Sequence, residues 1–327
     1  MARRSKKATQ RRLKKKIISA IIAIIIALIG AIVATQLSKD DNPPENYEIP
    51  EGSVEYHFID IDQGDASLIL VGGKAILIDT GENGSEEREA LTNYLAKYNV
   101  TELEYFVATH PDADHIGSAD YIINNYKINN VILSPKEHTS KTYERMISAI
   151  EAKVDSGEIK NVYIAGVDDC PLGTKLMVDE LEMTILGPVD YEEYNSTDNN
   201  NPSVVIMARW GKTKVLLTGD AEKEAEIKLV EKYGAQLDCD ILKVGHHGSH
   251  SSTHPADPEN GIPYGFLHYV KPSIAVISCG EGNKYGHPHK ETIDELTANN
   301  VEILRTDLEG SIVFVSDGEA FTRKTAE

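Results

Sequence analysis

Hydrophobic and polar positions along this chain recur with two periods, two residues and three to four, in separate blocks. Beyond Ser53, short runs with period two read as strands: "VEYHFIDI" (54–61), "ASLILV" (66–71) and "KAILID" (74–79), the last two joined at Gly72-Gly73 as a hairpin. "SEEREALTNYLAKY" (85–98) has the helical period, with acids in its first turn where the helix dipole favours them. "EYFVAT" (104–109) is an apolar strand that delivers His110 at its end. A helix from about Gly117 follows, then a strand "NVILS" (130–134) and a helix over about 141–153. Strands recur near 161–164, 180–186, 203–209 and 213–218, before a helix "AEKEAEIKLVEKY" (221–233) and a strand "DILKV" (240–244). After a loop rich in Gly, Pro and His come "PSIAVIS" (272–278), the helix "KETIDELTAN" (290–299) and strands near 301–304 and 311–315. Strand pairs followed by βα units, twice over, predict an α+β architecture of two sheets with helices outside. No repeat at solenoid spacing interrupts this order.

The first residues follow a different pattern. "IISAIIAIIIALIGAIVAT" (17–35) carries no charge, and at ~1.5 Å per residue it nearly matches a hydrocarbon core of ~30 Å. Residues 1–16 hold nine Lys or Arg and no acid, so the positive-inside rule makes them a cytoplasmic tail and places everything after the span outside. A cleaved signal peptide is the competing reading, but its apolar stretch would run only about 7–15 residues, and no A-x-A site follows Gly30. Residues 36–52, polar and Pro-bearing, read as a linker, and 53–327 as the folded domain. The prediction is a single-pass membrane protein with its domain extracytoplasmic.

Charge narrows the partners. The whole chain sums to −19; without the tail's nine bases, 24 bases face 52 acids, a balance of −28 over 17–327. Such a body repels nucleic acid unless a local basic patch overrides it. Lys212 and Lys214 in "KTK", with Lys243, Lys271, Lys284 and Arg305, are the candidates for that patch. The three cysteines, Cys170, Cys239 and Cys279, form no CxxC, and an odd count argues for buried, inert thiols over a disulfide framework.

Four clusters of acids and histidines each sit just beyond an apolar strand: Asp79 after "AILI", His110, Asp112, Asp114 and His115 after "YFVAT", Asp220 in "VLLTGD", and His246 and His247 in "ILKVGHHGS". Rigid strand ends aim side chains that a loop alone would leave loose. Imidazole and carboxylate donors suit zinc, manganese or iron, and the set is large enough for two adjacent ions if one carboxylate bridges them.

The residues in these clusters resemble the metallo-β-lactamase fold superfamily, and within it the C-terminal domain of ComEC-type competence proteins. The resemblance rests on "DIDQGDASLI" (60–69), "HPDADHIGS" (110–118), "NNNPSVVI" (199–206), "LLTGD" (216–220), "LKVGHHGS" (242–249) and "NKYGHP" (283–288), and covers about residues 53–316. It implies a four-layer αββα sandwich, here preceded by the single transmembrane helix, with two divalent ions, Zn or Mn, at one edge of the sheets. By the same resemblance His110 and Asp112 bind the first ion, Asp114 and His115 the second, and Asp220 bridges them. One of His246 and His247 completes the second site, His246 being preferred because it leaves the strand first. Asp79 orients a ligand histidine, and Asp114, Asp220 and His287 form the catalytic set, His287 protonating a leaving group or contacting phosphate.

Two departures from the superfamily matter. Asp112 stands where a second histidine is usual, and Asn201 or Ser203 stands nearest the place of a further one. The first site is thus harder, which tilts it toward Mn or a loosely held ion with Zn still open, and counts against β-lactam hydrolysis. Asp62 replaces a glycine of the subgroup, and "TDLEG" (306–310) reads as a turn that closes the last sheet.

The resemblance implies phosphodiester hydrolysis, with extracytoplasmic nucleic acid as substrate. The alternatives are a hydrolase of a cell-wall or teichoic-acid phosphodiester or small ester, which the acidic body suits if the substrate carries cationic groups, and a non-catalytic metal-binding protein of the same fold. A chain with one anchor is not itself a DNA pore, no organic cofactor is expected, and the oligomeric state is not legible.

Overall fold

Period-two patterning splits each strand's side chains between two environments, and that split builds the layers. The computed structural model describes residues 47–324 apart from 48 and 168. The expected tail (1–16), the anchor (17–35) and linker residues 36–46 and 48 lie outside the described residues; among those described, no helix is long and apolar enough to cross a membrane.

The strands are β1 (Val54–Phe58), β2 (Ser67–Val71), β3 (Lys74–Ile78), β4 (Glu102–Ala108), β5 (Lys127–Leu133), β6 (Asn161–Ile164), β7 (Lys175–Val178), β8 (Leu181–Gly187), β9 (Val205–Trp210), β10 (Thr213–Leu217), β11 (Ile241–Lys243), β12 (Ile274–Ile277), β13 (Glu302–Arg305), β14 (Ile312–Ser316) and β15 (Phe321–Lys324). They form one sheet in the order β15-β14-β1-β2-β3-β4-β5-β6 and a second in the order β13-β12-β11-β10-β9-β8-β7. The two are built alike. Each has antiparallel neighbours on one side, and parallel neighbours on the other: β3 with β4 in the first sheet and β10 with β11 in the second.

Alternate residues then choose faces. Ile69, Val71, Ile76 and Ile78 of the first sheet meet Ile206, Val215 and Leu217 of the second in the central core. Leu68, Leu70 and Leu77 point the other way, onto Leu91 and Leu95 of α1 (Ser85–Lys97) and Met146 and Ile150 of α4 (Lys141–Asp155). On the far side Val205, Met207 and Leu216 pack against Leu229 of α5 (Lys223–Tyr233), Phe266 of α6 (Phe266–Val270) and Leu296 of α7 (Lys290–Ala298). Helix, sheet, sheet, helix is the expected αββα sandwich.

The metal motif does not run into one helix from Gly117. It makes two short ones, α2 (Ala113–Ile116) and α3 (Ala119–Asn125). Edge strands β7 and β15 lie beyond the sequence expectation: β7 alternates in burial but carries the apolar Met177 on its exposed face, 54% exposed, and β15 is a short, mostly polar strand. "TDLEG" is a single helical turn, α8 (Thr306–Glu309), in place of the expected plain turn, with the Thr306 hydroxyl donating to the Cys279 carbonyl. The linker ends sooner than position 52: Tyr47 and Ile49 pack against the outer core, and the Tyr47 hydroxyl bonds Glu55 on β1. Asp62 takes φ of 62°, which accounts for glycine in the resembled motif, since aspartate is among the few other residues that visit this region. All three cysteines are buried and free.

Leu95→Ala, emptying a site with no exposed surface, is expected to cost ~2–5 kcal/mol, whereas Met177→Ala on the exposed edge should stay within ~0.5 kcal/mol. Urea midpoints of the two variants check the contrast.

Candidate metal centre

β3 and β4 run parallel in one sheet, β10 and β11 in the other, so the residues after all four strands emerge at one edge of the sandwich. Asp79 leaves β3 with φ of 61°, and the 110–115 loop leaves β4. Asp220 follows β10 across Gly219, whose φ of 54° favours glycine and where an added Cβ would crowd Ser203 and Thr109 at 3.0 Å. His246 and His247 follow β11, both with positive φ (46° and 53°). Two adjacent non-glycine residues in that region are strained, and the strain turns both rings into the site.

The four histidines share one arrangement. Each Nδ1 is tied to a partner behind it: His110 to the Thr109 hydroxyl at 3.2 Å, His115 to Asp79 at 2.7 Å, His246 to Glu222 at 2.8 Å and His247 to the Ser278 carbonyl at 2.9 Å. An Nδ1–H donated outward leaves Nε2 as a lone pair. All four Nε2 atoms turn to the buried Asp220 carboxylate, at 3.8 Å (His110), 3.1 Å (His115), 3.9 Å (His246) and 3.7 Å (His247). Asp79 is itself held by the Thr109 amide (2.8 Å) and hydroxyl (2.6 Å), so it cannot swing away from His115.

This is an assembly of acceptors without donors. His110 Nε2 is buried with no hydrogen-bond partner, and Asp220 Oδ1 is buried with only His115 Nε2, 3.1 Å away, facing it. A cation resolves both, and the N/O donor set fits a divalent ion of borderline or hard character. His110, His115 and Asp220 offer donor atoms within 4.8 Å of one another, as do Asp114, His115 and His247. Burial disfavours an imidazolium at His115, yet the Asp220 and Asp79 carboxylates outweigh it and hold its pKa well above the ordinary value. Burial likewise disfavours the Asp220 carboxylate, and His115, His247 and His110 reverse that and hold it ionised. A proton on His115 thus occupies the place of a cation. Burial and the neighbouring His115 push His110 down to about 3, keeping its ring neutral and available as a ligand.

The sequence-predicted residues Asp79, His110, Asp112, Asp114, His115, Asp220, His246, His247 and His287 come together here. The preference for His246 in the second cluster does not match the geometry. His247 is the buried ring whose Nε2 lies 3.4 Å from Asp114 Oδ2, while His246 is partly exposed and its Nε2 faces Asp220 Oδ2 at 3.9 Å. Asp112 lies at the rim, with Oδ2 4.0 Å from His110 Nε2 and Oδ1 accepting from Asn199 at 2.7 Å. Neither Asn201 nor Ser203 stands in for the absent histidine. Asn201 Oδ1 accepts from the amides of Glu222 and Ala225 at the start of α5, and Ser203 Oγ accepts from the Asp220 amide at 3.0 Å. His287, with an unpartnered Nδ1, stacks beside His247, and its loop is pinned by Asn283, which bonds the amide and carbonyl of His287.

Glu222, Thr109, Ser278 and Asn199 went unrecognised as site residues. Only Glu222, two positions beyond Asp220, carried a local signal. The candidates for a basic patch form none: Lys212, Lys214, Lys243 and Arg305 each pair with a carboxylate, Lys271 caps the end of α6, and Lys284, over the exposed Tyr285 ring, stands near the site.

Saturating Mn²⁺ or Zn²⁺ is expected to raise the melting temperature, a free energy of about 2.7 kcal/mol at a hundredfold excess over Kd. Asp79→Asn should weaken metal affinity ~10–100-fold through loss of the His115 tether; thermal melts read the first effect and calorimetric titration the second.

The model of the Metallo-beta-lactamase superfamily matches residues 59–259. ComE operon protein 3 of Bacillus subtilis is 29% identical over 280 residues, 81% of this chain and 33% of that protein. Recombination protein 2 of Haemophilus influenzae is 29% identical over 257 residues, 78% of this chain and 28% of that protein. The chain thus spans about a third of the length of these curated relatives. Among solved structures, the metallo-beta-lactamase fold protein YhfI of Bacillus subtilis aligns with a TM-score of 0.48 and 12% identity, over 81% of this chain and 100% of that one. Competence protein ComA of Neisseria gonorrhoeae is 27% identical over 269 residues, 81% of this chain and 33% of that protein. With the family match spanning most of the folded part and the donor residues at its strand ends, the chain belongs to the metallo-beta-lactamase superfamily and is related in sequence to competence proteins.

Proposed function

We propose that this protein is a metal-dependent phosphodiesterase working with two divalent ions, Zn or Mn, and that its substrate is nucleic acid. The observation that carries the reading is the convergence of four tethered Nε2 atoms on one buried carboxylate, with Asp114 and Asp112 at its open side. His110 and Asp112, with His246 beside them, would hold the first ion, Asp114, His115 and His247 the second, and the Asp220 carboxylate, which all four imidazoles face, would be shared. Such a pair supplies an activated water and neutralises charge on the phosphoryl oxygens.

The chain's own groups account for the remaining tasks. Asp114, only partly buried and held ionised despite its desolvation by its bond to His247, faces the opening, where it can accept a hydrogen bond from the attacking water and orient it. His287 is pushed down to about 4 by burial and by His246 and His247. A neutral ring suits a hydrogen bond to phosphate better than protonation of a leaving group. Glu222 and Asp79 keep their imidazoles oriented throughout.

Relatives named for competence and recombination support nucleic acid as substrate. The 17–35 segment and its basic flank support a single-pass anchor with the domain on the extracytoplasmic face. One observation favours a second reading, an ester bearing cationic groups such as choline. Beside the loop that supports the metal motif lies a cavity of about 350 Å³ lined by Asp60, Asp62, Glu86, Glu87, Glu281 and Asp307.

The purified chain with Mn²⁺ or Zn²⁺ should hydrolyse bis-p-nitrophenyl phosphate, and Asp114→Ala should lower kcat by about 100-fold or more. Absence of turnover with every divalent ion would exclude an enzyme. Cleavage of single-stranded DNA with no release from p-nitrophenylphosphorylcholine supports the first reading; the reverse supports the second.

A further inference from the structure

Among the described residues, Lys243 is the only lysine that is fully buried. It sits on β11, in a strand otherwise apolar, and its Nζ lies 2.7 Å from Asp65 Oδ2 and 3.1 Å from the Val244 carbonyl. The Asp65 oxygen not facing Lys243 accepts from the Ser278 hydroxyl at 3.3 Å. The pair spans the sandwich: Asp65 leads into β2 of the first sheet and Lys243 ends β11 of the second.

Both ends of this bridge touch the metal centre. The Asp65 amide donates to the Asp114 carbonyl at 3.0 Å, and its carbonyl accepts from Gly81, which in turn holds Gly117. Gly64 must be glycine for this approach, because a Cβ there would lie 2.7 Å from the Asp114 carbonyl oxygen. On the far side, Lys243 is followed within four residues by His247, and Ser278, which bonds Asp65, also accepts from His247 Nδ1. Asp114 and His115 come from one sheet and His247 from the other. Between the sheets lies an apolar core, and apolar contact is non-directional, so it does not fix one sheet's slide against the other to the few tenths of an ångström that ligation demands. A buried ion pair is directional, and registry is the best-attested use of such pairs. Lys243 also offsets charge, since Asp65 and Asp79 both place a carboxylate oxygen within 4.8 Å of a His115 nitrogen.

We propose that the Asp65–Lys243 pair is a positioning element for the second metal site, registering His247 against Asp114 and His115 across the two sheets. The proposal rests on the metal-centre reading above. Exchanging a buried ion pair for neutral groups of similar volume often leaves stability unchanged, which separates positioning from mere support of the fold. The test is Co²⁺ titration of the full chain and of Asp65→Asn/Lys243→Met, read by visible absorption, with the metal-free melting temperature beside it. The expected result is a melting temperature within about 5 °C of the parent, an unchanged first equivalent, and a second equivalent weakened about tenfold or more with an altered spectrum. A variant that folds and binds both equivalents with the parent's affinity and spectrum overturns the proposal. If the double variant does not fold, Lys243→Gln decides in the same way, parent-like second-site binding overturning the proposal and weakened binding supporting it. A parent chain that binds no second equivalent removes the two-ion reading itself, and is seen before any variant is compared.

Discussion

A carboxylate buried among four imidazole lone pairs is the constraint on which the rest of this structure turns. Asp220 and the Nε2 atoms of His110, His115, His246 and His247 are all acceptors when their outer nitrogens are tethered, and acceptors do not satisfy one another. Something positive must sit between them. In the metal-free chain it is a proton, which Asp220 and Asp79 hold on His115 against the penalty of burial. A divalent ion answers the same demand with more charge and more partners, and the orphaned His110 Nε2 marks where that demand is unmet.

The fold exists to hold these groups in place. Parallel strand pairs in both sheets end at one edge, and the residues after them depart from ordinary backbone geometry: Asp79, His246 and His247 at positive φ, and Gly219 pressed against Ser203 and Thr109. Behind each imidazole stands a partner that fixes its tautomer, and behind Asp79 stands Thr109. The apolar core between the sheets supplies cohesion without register. The polar bridge of Asp65 and Lys243 lies across that core where register matters most.

Much of this was legible in the residues. Period-two runs split between faces account for the two sheets, and amphipathic blocks account for α1, α4, α5 and α7. The ends of apolar strands located Asp79, His110, Asp220 and the His246–His247 pair. What was not legible had a tertiary origin. His247, not His246, joins Asp114 because consecutive left-handed residues turn the chain after β11, and no local pattern announces that turn. Glu222 and Ser278 act only through neighbours brought from elsewhere in the chain. Lys243 read as a surface charge because lysine usually is one, and its buried partner Asp65 lies far away in sequence. The edge strands β7 and β15 escaped for a different reason: on a half-exposed margin the residue types need not follow the burial, so apolar Met177 sits on the open face of β7 and β15 is mostly polar.

The central claim is that one carboxylate, Asp220, stands between two ions. Electron paramagnetic resonance of the chain loaded with two equivalents of Mn²⁺ tests it most directly, because a bridging carboxylate couples the spins of its two ions. The account predicts an exchange-coupled dinuclear signal in the parent chain that reverts to isolated Mn²⁺ in Asp220→Ala. Isolated Mn²⁺ signals in the parent at full loading would contradict it.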